Sequence, residues 1–202
     1  MNLPERTLPA AVLEILLVED DPVRAGIFDD GLSGTARVRR ISELTTPAIM
    51  AATDVEKADI VVISSHGPDA AMIRTIEDVS GMRPMPIVVF VEADQGDLAR
   101  RAIRAGASGY VVSGLAAARV LPIIDVAMER FRLMDALHKE LSRSKSDLEA
   151  RKIIERAKGL LMQQRGVSEQ AAYEALRKMA MARGKPVREI AETIVAISNM
   201  LP

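Results

Sequence analysis

Four groups of residues with polar side chains each follow a short apolar segment in the first part of the chain. Such side chains could bind a cation or a phosphate, or exchange a proton. The four groups are Glu19–Asp20–Asp21, Ser64–Ser65–His66, Val91–Glu92 and Ser113–Gly114. Carboxylate oxygens are hard ligands that suit Mg²⁺, whereas serine beside histidine combines a nucleophile with a base. What these groups can do depends on whether the fold brings them together.

The apolar segments predict buried β-strands because they are rich in Val and Ile and are bounded by turn residues. They are Leu13–Val18, Asp59–Ile63, Pro86–Val91 and Gly109–Val112, with a weaker strand over Thr35–Ile41. Amphipathic stretches between them predict helices over Val23–Leu32, Thr46–Val55, Asp69–Gly81 and Asp97–Ala105. Alternating strands and helices predict an α/β fold with a parallel sheet covered on both sides. The carboxyl ends of such strands meet at one edge, where we expect the polar groups.

The serine and histidine residues do not predict a hydrolase. Ser64, Ser65 and His66 are adjacent, and adjacent residues on an extended chain point to opposite faces. The Gly-x-Ser-x-Gly turn that exposes a nucleophile is also absent. His66 and His138 are the only histidines, and the chain has no cysteine, which disfavours a histidine metal site and excludes disulfides and thiolate sites. We therefore expect a protein that is not an enzyme and that carries no cofactor.

The segment ILLVEDDPVRAGI resembles the first strand and acidic loop of response-regulator receiver domains. This resemblance implies a flavodoxin-like five-stranded parallel sheet and matches Glu19 and Asp20 to the pair that holds Mg²⁺ in that family. It places Ser64 at the phosphoacceptor aspartate, Val91 at the conserved hydroxyl residue and Ser113 at the lysine. A hydroxyl replaces a carboxylate poorly in accepting a phosphoryl group. We therefore expect a pseudo-receiver that aspartyl phosphate does not switch, with only a vestigial acidic pair and no metal.

Charge divides the chain of 202 residues into two parts. Residues 1–138 hold 14 basic and 20 acidic side chains, whereas residues 139–202 hold 13 and 8. An acidic front and a basic tail predict two modules, with any polyanionic partner bound by the tail. Only 2% of residues are aromatic, which disfavours base-stacking platforms built from several rings. The chain shows no signal-peptide core and no apolar run of roughly 20 residues, so we expect a cytoplasmic protein without a membrane span.

A long helical segment from about Ala116 joins the two parts, with Pro122 in its opening turns. Its apolar residues recur at spacings of three and four, with His138 and Lys145 between them: Ile124, Ala127, Phe131, Met134, Leu141 and Leu148. This pattern predicts a short, imperfect coiled coil and hence a homodimer. The alternative is a helix whose first part packs on its own sheet and whose second part is a solvated connector. We place the receiver-like domain at 11–120, the helical linker at 121–146 and the tail domain at 147–202.

The tail predicts three helices. The first runs from about Asp147 to Arg165 and stops at Gly166, the second is capped by Ser168 and ends near Gly184, and the third begins at Pro186. Apolar residues at helical spacing supply a small core: Ile154, Leu161, Ala172, Leu176, Met179, Ile190 and Ile194.

Several spaced elements of this tail resemble the ANTAR domain of AmiR- and NasT-type transcription antiterminators. They are Arg151, AKGLLM at 157–162, Ser168–Glu169, the block Tyr173, Leu176, Arg177 and Ala180, and Glu189–Ile190–Ala191. The segments PIVVFVEAD and GYVVSGLAAARVLPIIDVAMERF resemble the divergent receiver of NasT-like proteins, so the resemblance spans nearly the whole chain. It implies dimers that bind stem-loops of a leader transcript and prevent a terminator hairpin from forming.

The resemblance also implies the RNA contacts. They are Arg151, Ala157, Lys158, Gly159, Tyr173 and Arg177. Small Ala157 and Gly159 allow close approach of a nucleic-acid backbone, Lys158 and Arg177 supply cations, and Tyr173 can stack on an unpaired base. The alternatives are that Ala157 and Gly159 permit tight helix packing, that Tyr173 is a core residue and that Lys158 is a solvated charge.

The resemblance further implies control by a ligand-sensing regulatory protein and, for a NasT-like chain, a role in nitrate or nitrite assimilation. Two other functions stay open. A DNA-binding response regulator would need a helix that reads bases, which Tyr173 and Arg177 on a short bundle do not obviously provide. A protein-binding adaptor would have no affinity for RNA.

Overall fold

The computed structural model describes residues 12–55, 57–93 and 97–200, so the predicted domain ends at 11 and at 201–202 lie outside the described residues. The chain divides into two compact units, Met1–Met134 and Asp135–Pro202. One helix, Ala117–Arg165, contributes to both. In the part of the chain that is described, no helix is long and apolar enough to cross a membrane.

The first unit alternates strands and helices as predicted. Its elements are β1 (Leu13–Val18), α1 (Pro22–Leu32), β2 (Ala36–Ile41), α2 (Thr46–Val55), β3 (Ile60–Ser65), α3 (Ala70–Met82), β4 (Ile87–Val91), α4 (Leu98–Arg104), β5 (Gly109–Val112) and the start of α5 (Ala117–Arg165). The five strands are parallel and lie in the order β2-β1-β3-β4-β5. This is the flavodoxin-like order, which confirms the predicted fold class.

The two faces of the sheet form separate cores because successive side chains of a strand point to opposite sides. Leu16 and Val18 of β1 pack with α2 and α3, whereas Ile15 and Leu17 pack with α1 and the start of α5. Close packing between α1 and α5 requires a glycine at position 31. A β-carbon there would lie well inside van der Waals contact of the Ala117 carbonyl oxygen. The sheet is therefore enclosed on both sides, and its polar groups lie at the carboxyl edge.

Helix α5 is continuous over 49 residues, so the predicted long helical segment and the first predicted tail helix, from about Asp147, are parts of one helix. Neither Gly nor Pro occurs between Pro122 and Gly159 to interrupt it. Ile124 and Ala127 are buried against the sheet, so they belong to the receiver core and not to a coiled-coil seam. Large apolar side chains are exposed farther along the helix, at Leu133, Leu137, Leu141 and Leu148. The predicted boundaries at 120 and 146 fall inside α5 and stay predictions.

The second unit contains the last part of α5, α6 (Glu169–Arg183) and α7 (Val187–Met200). The hydroxyl of Ser168 accepts a hydrogen bond from the Ala171 amide at 3.3 Å and caps α6, which ends at Gly184 with φ of 60°. Both features follow the predicted capping residues. The core is small, with Ala157, Leu161, Ala172, Leu176, Ala180, Ile190 and Ala191. The Arg188 guanidinium ties α7 to α5 by donating to the Ser146 hydroxyl at 2.9 Å.

Candidate nucleic-acid interface and the altered receiver site

A buried arginine occupies the carboxyl edge of the sheet. Arg24, in the first turn of α1, is 5% exposed. Its Nε donates to Glu19 Oε2 at 2.9 Å, and its Nη2 donates to the Ser64 hydroxyl at 2.7 Å and to the Ser65 carbonyl at 3.1 Å. Its Nη1 donates to Glu92 Oε1 at 2.6 Å. One guanidinium therefore joins the ends of β1, β3 and β4.

A histidine closes the same network on its exposed side. His66 Nδ1 lies 3.1 Å from Glu92 Oε2, and His66 Nε2 lies 3.6 Å from Asp21 Oδ2. The hydrogen bond to Glu92 is the main reason that the pKa of His66 is raised above its ordinary value. The same contact, followed by the hydrogen bond from Arg24, lowers the pKa of Glu92. The carboxyl edge of the sheet therefore carries positive and negative side chains that pair with one another.

This arrangement does not fit the Mg²⁺ site that receiver domains use. Both carboxylate oxygens of Glu19 already accept hydrogen bonds, Oε2 from Arg24 and Oε1 from the Asp21 amide at 3.0 Å. Asp20, its predicted partner in a vestigial pair, is exposed and does not take part. A divalent cation would have to displace a buried guanidinium that carries the charge it would supply. Among the described residues, no group of three metal-ligating side chains is suitably placed.

The resemblance matches three further residues to receiver positions, and these are Ser64, Val91 and Ser113. Ser64 is 6% exposed, and its hydroxyl accepts two hydrogen bonds from Arg24. Val91 is buried in β4, and Ser113 follows β5 with φ of 54°, a left-handed conformation. His66, two residues farther along the chain, is engaged with Glu92. Two serines and a valine therefore stand at the positions that the resemblance matches to the aspartate, the hydroxyl residue and the lysine of a receiver.

In the second unit, Lys158 links two helices. It is only 8% exposed, and its Nζ lies 2.7 Å from Glu155 Oε1 and 2.6 Å from Glu169 Oε1. The hydrogen bond to Glu155, and then that to Glu169, raises the pKa of Lys158. The hydrogen bond from Lys158 lowers the pKa of Glu169. The alternative interpretation of Lys158 as a solvated charge is therefore wrong, because this cation is held between two carboxylates.

The other predicted residues surround this contact. Arg151, Glu155 and Lys158 share one face of α5, and Glu169, Tyr173 and Arg177 share one face of α6, because residues three or four apart on a helix are neighbours. The Lys158–Glu169 ion pair brings the two faces together. Tyr173 is 45% exposed, so it is not a core residue, and Arg151 and Arg177 are exposed as well.

The two small residues predicted for the interface differ sharply. Ala157 is completely buried in the core between α5, α6 and α7, in agreement with the packing alternative, and it offers no surface to a ligand. Gly159 is exposed, and a β-carbon built on it would meet no atom within 4 Å. Packing within this chain therefore explains Ala157 but does not explain Gly159.

Arg24 is the residue of the network at the carboxyl edge that sequence reasoning did not identify. A detectable signal existed for Arg24, because it precedes Phe28 by four residues and so lies on the apolar face of α1. A charged residue on such a face is buried and needs a partner. Glu92 was expected at this edge, but its contact with Arg24 was not predicted, because that contact depends on strand order.

Comparisons with known proteins agree with both units. The ANTAR domain model matches residues 143–195. The transcriptional regulatory protein PdtaR of Mycobacterium tuberculosis is 34% identical over 142 residues, which cover 70% of this chain and 69% of that protein. The aliphatic amidase regulator of Pseudomonas aeruginosa is 28% identical over 142 residues, 70% of each chain. The nitrate regulatory protein of Klebsiella oxytoca is 35% identical over 82 residues, 41% of this chain and 20% of that one.

Solved structures resemble the first unit. An orphan response regulator of H. pylori superimposes with a TM-score of 0.51 and 15% identity, covering 59% of this chain and 99% of that one. A CheY-like receiver domain protein from Methanospirillum hungatei gives 0.50 and 18% identity over 61% of this chain and 99% of the other. At such identities the likeness concerns the fold alone. Together with the ANTAR match and the identity to PdtaR, it shows that this chain belongs to the ANTAR-domain response regulators.

Proposed function

We propose that this protein is an RNA-binding transcription antiterminator. Its C-terminal unit binds a stem-loop of a leader transcript, so that a terminator hairpin cannot form. The observation that carries this proposal is Gly159, an exposed glycine inside α5 whose missing side chain no neighbour in the chain needs. A glycine at such a position destabilises a helix by about 1 kcal/mol relative to alanine. A glycine at this position is understandable if a ligand backbone approaches the helix there.

The charges around Gly159 favour a polyanion. Arg151 and Arg177 are exposed on the adjoining faces of α5 and α6, where they can contact phosphates. Tyr173 offers an accessible ring for an unpaired base of a loop. Lys158 contacts RNA by replacing a carboxylate partner with a phosphate. Buried Ala157 has an indirect role, because its small side chain lets α5 lie close to α6.

The mechanism requires no reaction. A nascent leader folds either into the bound stem-loop or into a terminator, and a protein that binds one conformer shifts the equilibrium toward it. If the protein binds one conformer a hundredfold more tightly than the other, the free-energy difference between the two conformers changes by about 2.7 kcal/mol. The mechanism therefore requires only RNA binding from the C-terminal unit.

We infer that the protein forms a homodimer through α5. Leu137, Leu141 and Leu148 are exposed, are spaced by four and seven residues, and form an apolar stripe along one side of the helix. Such a stripe is typical of a helix that packs against a second copy. Ser144 lies within it, so this contact is weak and rearrangeable.

We propose control by a ligand-sensing partner protein and not by aspartyl phosphate, and the altered receiver supports this proposal. Arg24 supplies the positive charge that a phosphorylated receiver takes from Mg²⁺, and the Ser64 hydroxyl already accepts hydrogen bonds. Two relatives are described as a nitrate regulatory protein and an aliphatic amidase regulator. The resemblance to NasT-like chains favours nitrate or nitrite assimilation.

The test of RNA binding uses the full chain and a pool of labelled RNA stem-loops with randomised loops, with duplex DNA as competitor. Arg151→Gln with Arg177→Gln should weaken binding by at least about tenfold and flatten its salt dependence by roughly one to two phosphate contacts. The matched control is Arg143→Gln with Arg183→Gln, which removes the same charge from exposed positions on the same two helices. Absence of stem-loop binding at low salt, or preferential binding of duplex DNA, refutes the proposal.

The test of control is separate. Incubation with acetyl phosphate and Mg²⁺ should leave the intact mass of the protein and its RNA affinity unchanged. An acyl phosphate on the first unit would show that a carboxylate other than the missing aspartate accepts the phosphoryl group, and would refute phosphate-independent control.

A further inference from the structure

Two carboxylates cover the lysine at the centre of the proposed RNA interface. Lys158 Nζ lies 2.7 Å from Glu155 Oε1 and 2.6 Å from Glu169 Oε1. Two carboxylates around one ammonium group leave one negative charge uncompensated. A surface that binds a polyanion gains affinity from positive charge and loses it wherever a carboxylate faces a phosphate. The charge around Lys158 therefore opposes the ligand that the surrounding arginines favour.

The lysine is held in place, whereas its two partners are accessible to solvent. The side chain of Lys158 is 10% exposed, and those of Glu155 and Glu169 are 65% and 66% exposed. An exposed carboxylate keeps much of its hydration, so its ion pair contributes little to stability. A carboxylate can therefore leave Lys158 at a small cost in free energy, and a phosphate can take its place without movement of the lysine.

The two carboxylates differ in the way they reach Lys158. Glu155 lies on α5 three residues before Lys158, and residues at that spacing are neighbours on a helix, so this pair needs no contact between helices. Glu169 lies in the first turn of α6, on the face that bears Tyr173 and Arg177. A phosphate that contacts both helices therefore separates Lys158 from Glu169 and leaves the pair with Glu155 intact.

We propose that Glu169 is an autoinhibitory residue that competes with RNA for Lys158. In the free protein the Glu169 carboxylate covers the ammonium group, and a phosphate of the stem-loop replaces it when RNA binds. Glu155 stays paired with Lys158 and keeps its side chain in position. This inference rests on the proposed RNA binding of the C-terminal unit and names an internal competitor that lowers affinity at that site.

The experiment measures fluorescence anisotropy of labelled RNA stem-loops with randomised loops, with the full chain. Glu169→Gln should bind them about fivefold more tightly than the wild type, because the substitution removes a repulsive charge and an ion pair that RNA must break. The salt dependence of binding should steepen by up to about one phosphate contact. The matched control is Glu174→Gln, which removes the same charge from an exposed position on another side of α6 and should leave affinity unchanged.

A second pair of variants tests whether the gain acts through Lys158. In a Lys158→Met background, Glu169→Gln should raise affinity by a smaller factor, because that background has no ion pair to break. Circular dichroism and urea unfolding check that each variant is folded.

Three results would overturn the inference. One is equal affinity of the Glu169→Gln and Glu174→Gln variants, and another is an equal gain from Glu169→Gln with and without Lys158. The third is a loss of affinity in Glu169→Gln, which would mean that the ion pair holds α5 and α6 in the arrangement that binds RNA. Failure of the wild type and of every variant to bind stem-loops at low salt would instead refute the proposed function. Binding by the wild type without a gain in Glu169→Gln refutes the autoinhibitory role alone.

Discussion

Substituting Gly159 by alanine should have opposite effects on stability and on binding. The added methyl group meets no atom of the chain within 4 Å, and glycine is the weaker helix former. The free energy of unfolding should therefore rise by about 0.5–1 kcal/mol. The same methyl group extends about 1.5 Å from the helix backbone. A phosphate that approaches Gly159 closely must retreat by a similar distance and lose a hydrogen bond to a charged group.

One such hydrogen bond contributes about 1.5 kcal/mol or more, so stem-loop affinity should fall by roughly tenfold. Stability is measured by urea unfolding followed by circular dichroism, and affinity by anisotropy of labelled stem-loops. The matched control is Gly26→Ala in the middle of α1, where an added β-carbon also meets nothing within 4 Å. That variant should gain stability and keep its affinity. Gly31→Ala should lose stability, because its methyl group would collide with the Ala117 carbonyl.

Unchanged affinity of the Gly159→Ala variant would refute the reasoning that Gly159 makes room for RNA. Lowered stability would refute it too, because it would mean that the glycine is needed by the fold itself.

Three further outcomes follow from the altered receiver and from α5. Arg24→Ala should lower the free energy of unfolding by about 3 kcal/mol in urea titrations, because it leaves buried Glu19 without its partner. Since hydrogen bonding to Glu92 raises the pKa of His66 above 6.5, its stabilising effect is present below that pH and fades as pH rises through the raised value. Unfolding titrations of His66→Gln should therefore show a larger loss at about pH 6 than at about pH 8. Leu137→Glu should shift sedimentation toward the monomer.

Each of these outcomes has its own control. Arg37→Ala breaks only an exposed pair with Glu14 and should change stability by less than about 1 kcal/mol. A similar small loss for Arg24→Ala would contradict its role as the buried cation. A pH-independent effect of His66→Gln would mean that the imidazole does not act through its charge. Unchanged sedimentation would place the dimer contact elsewhere.

Much of the fold was readable from local patterns. The runs Leu13–Val18 and Gly109–Val112 have the bounds of β1 and β5, and Ser168 and Gly184 mark the ends of α6. These features are local, since strand burial, capping and helix termination depend on a few neighbouring residues. The order of the motifs also sufficed to predict the ANTAR domain.

The long helix was also predictable, since neither Gly nor Pro occurs between Pro122 and Gly159, and the first predicted tail helix is its last part. The residues of the predicted coiled-coil contact were harder to choose. Ile124 and Ala127 fit a heptad as well as the exposed leucines do, and only the position of the sheet shows which of them are already buried.

Local patterns and motif order were sufficient to predict the succession of strands and helices and the family, and the resemblance placed Ser64 at the phosphoacceptor position. Which charged side chains pair with one another depends on the tertiary structure. Arg24 reaches Glu19, Ser64 and Glu92 because parallel strands distant in sequence end at one edge. Lys158 meets Glu169 because two helices pack side by side. Electrostatic and hydrogen-bonded contacts act over a few ångströms in space, and linear spacing does not specify which distant residues come within that range.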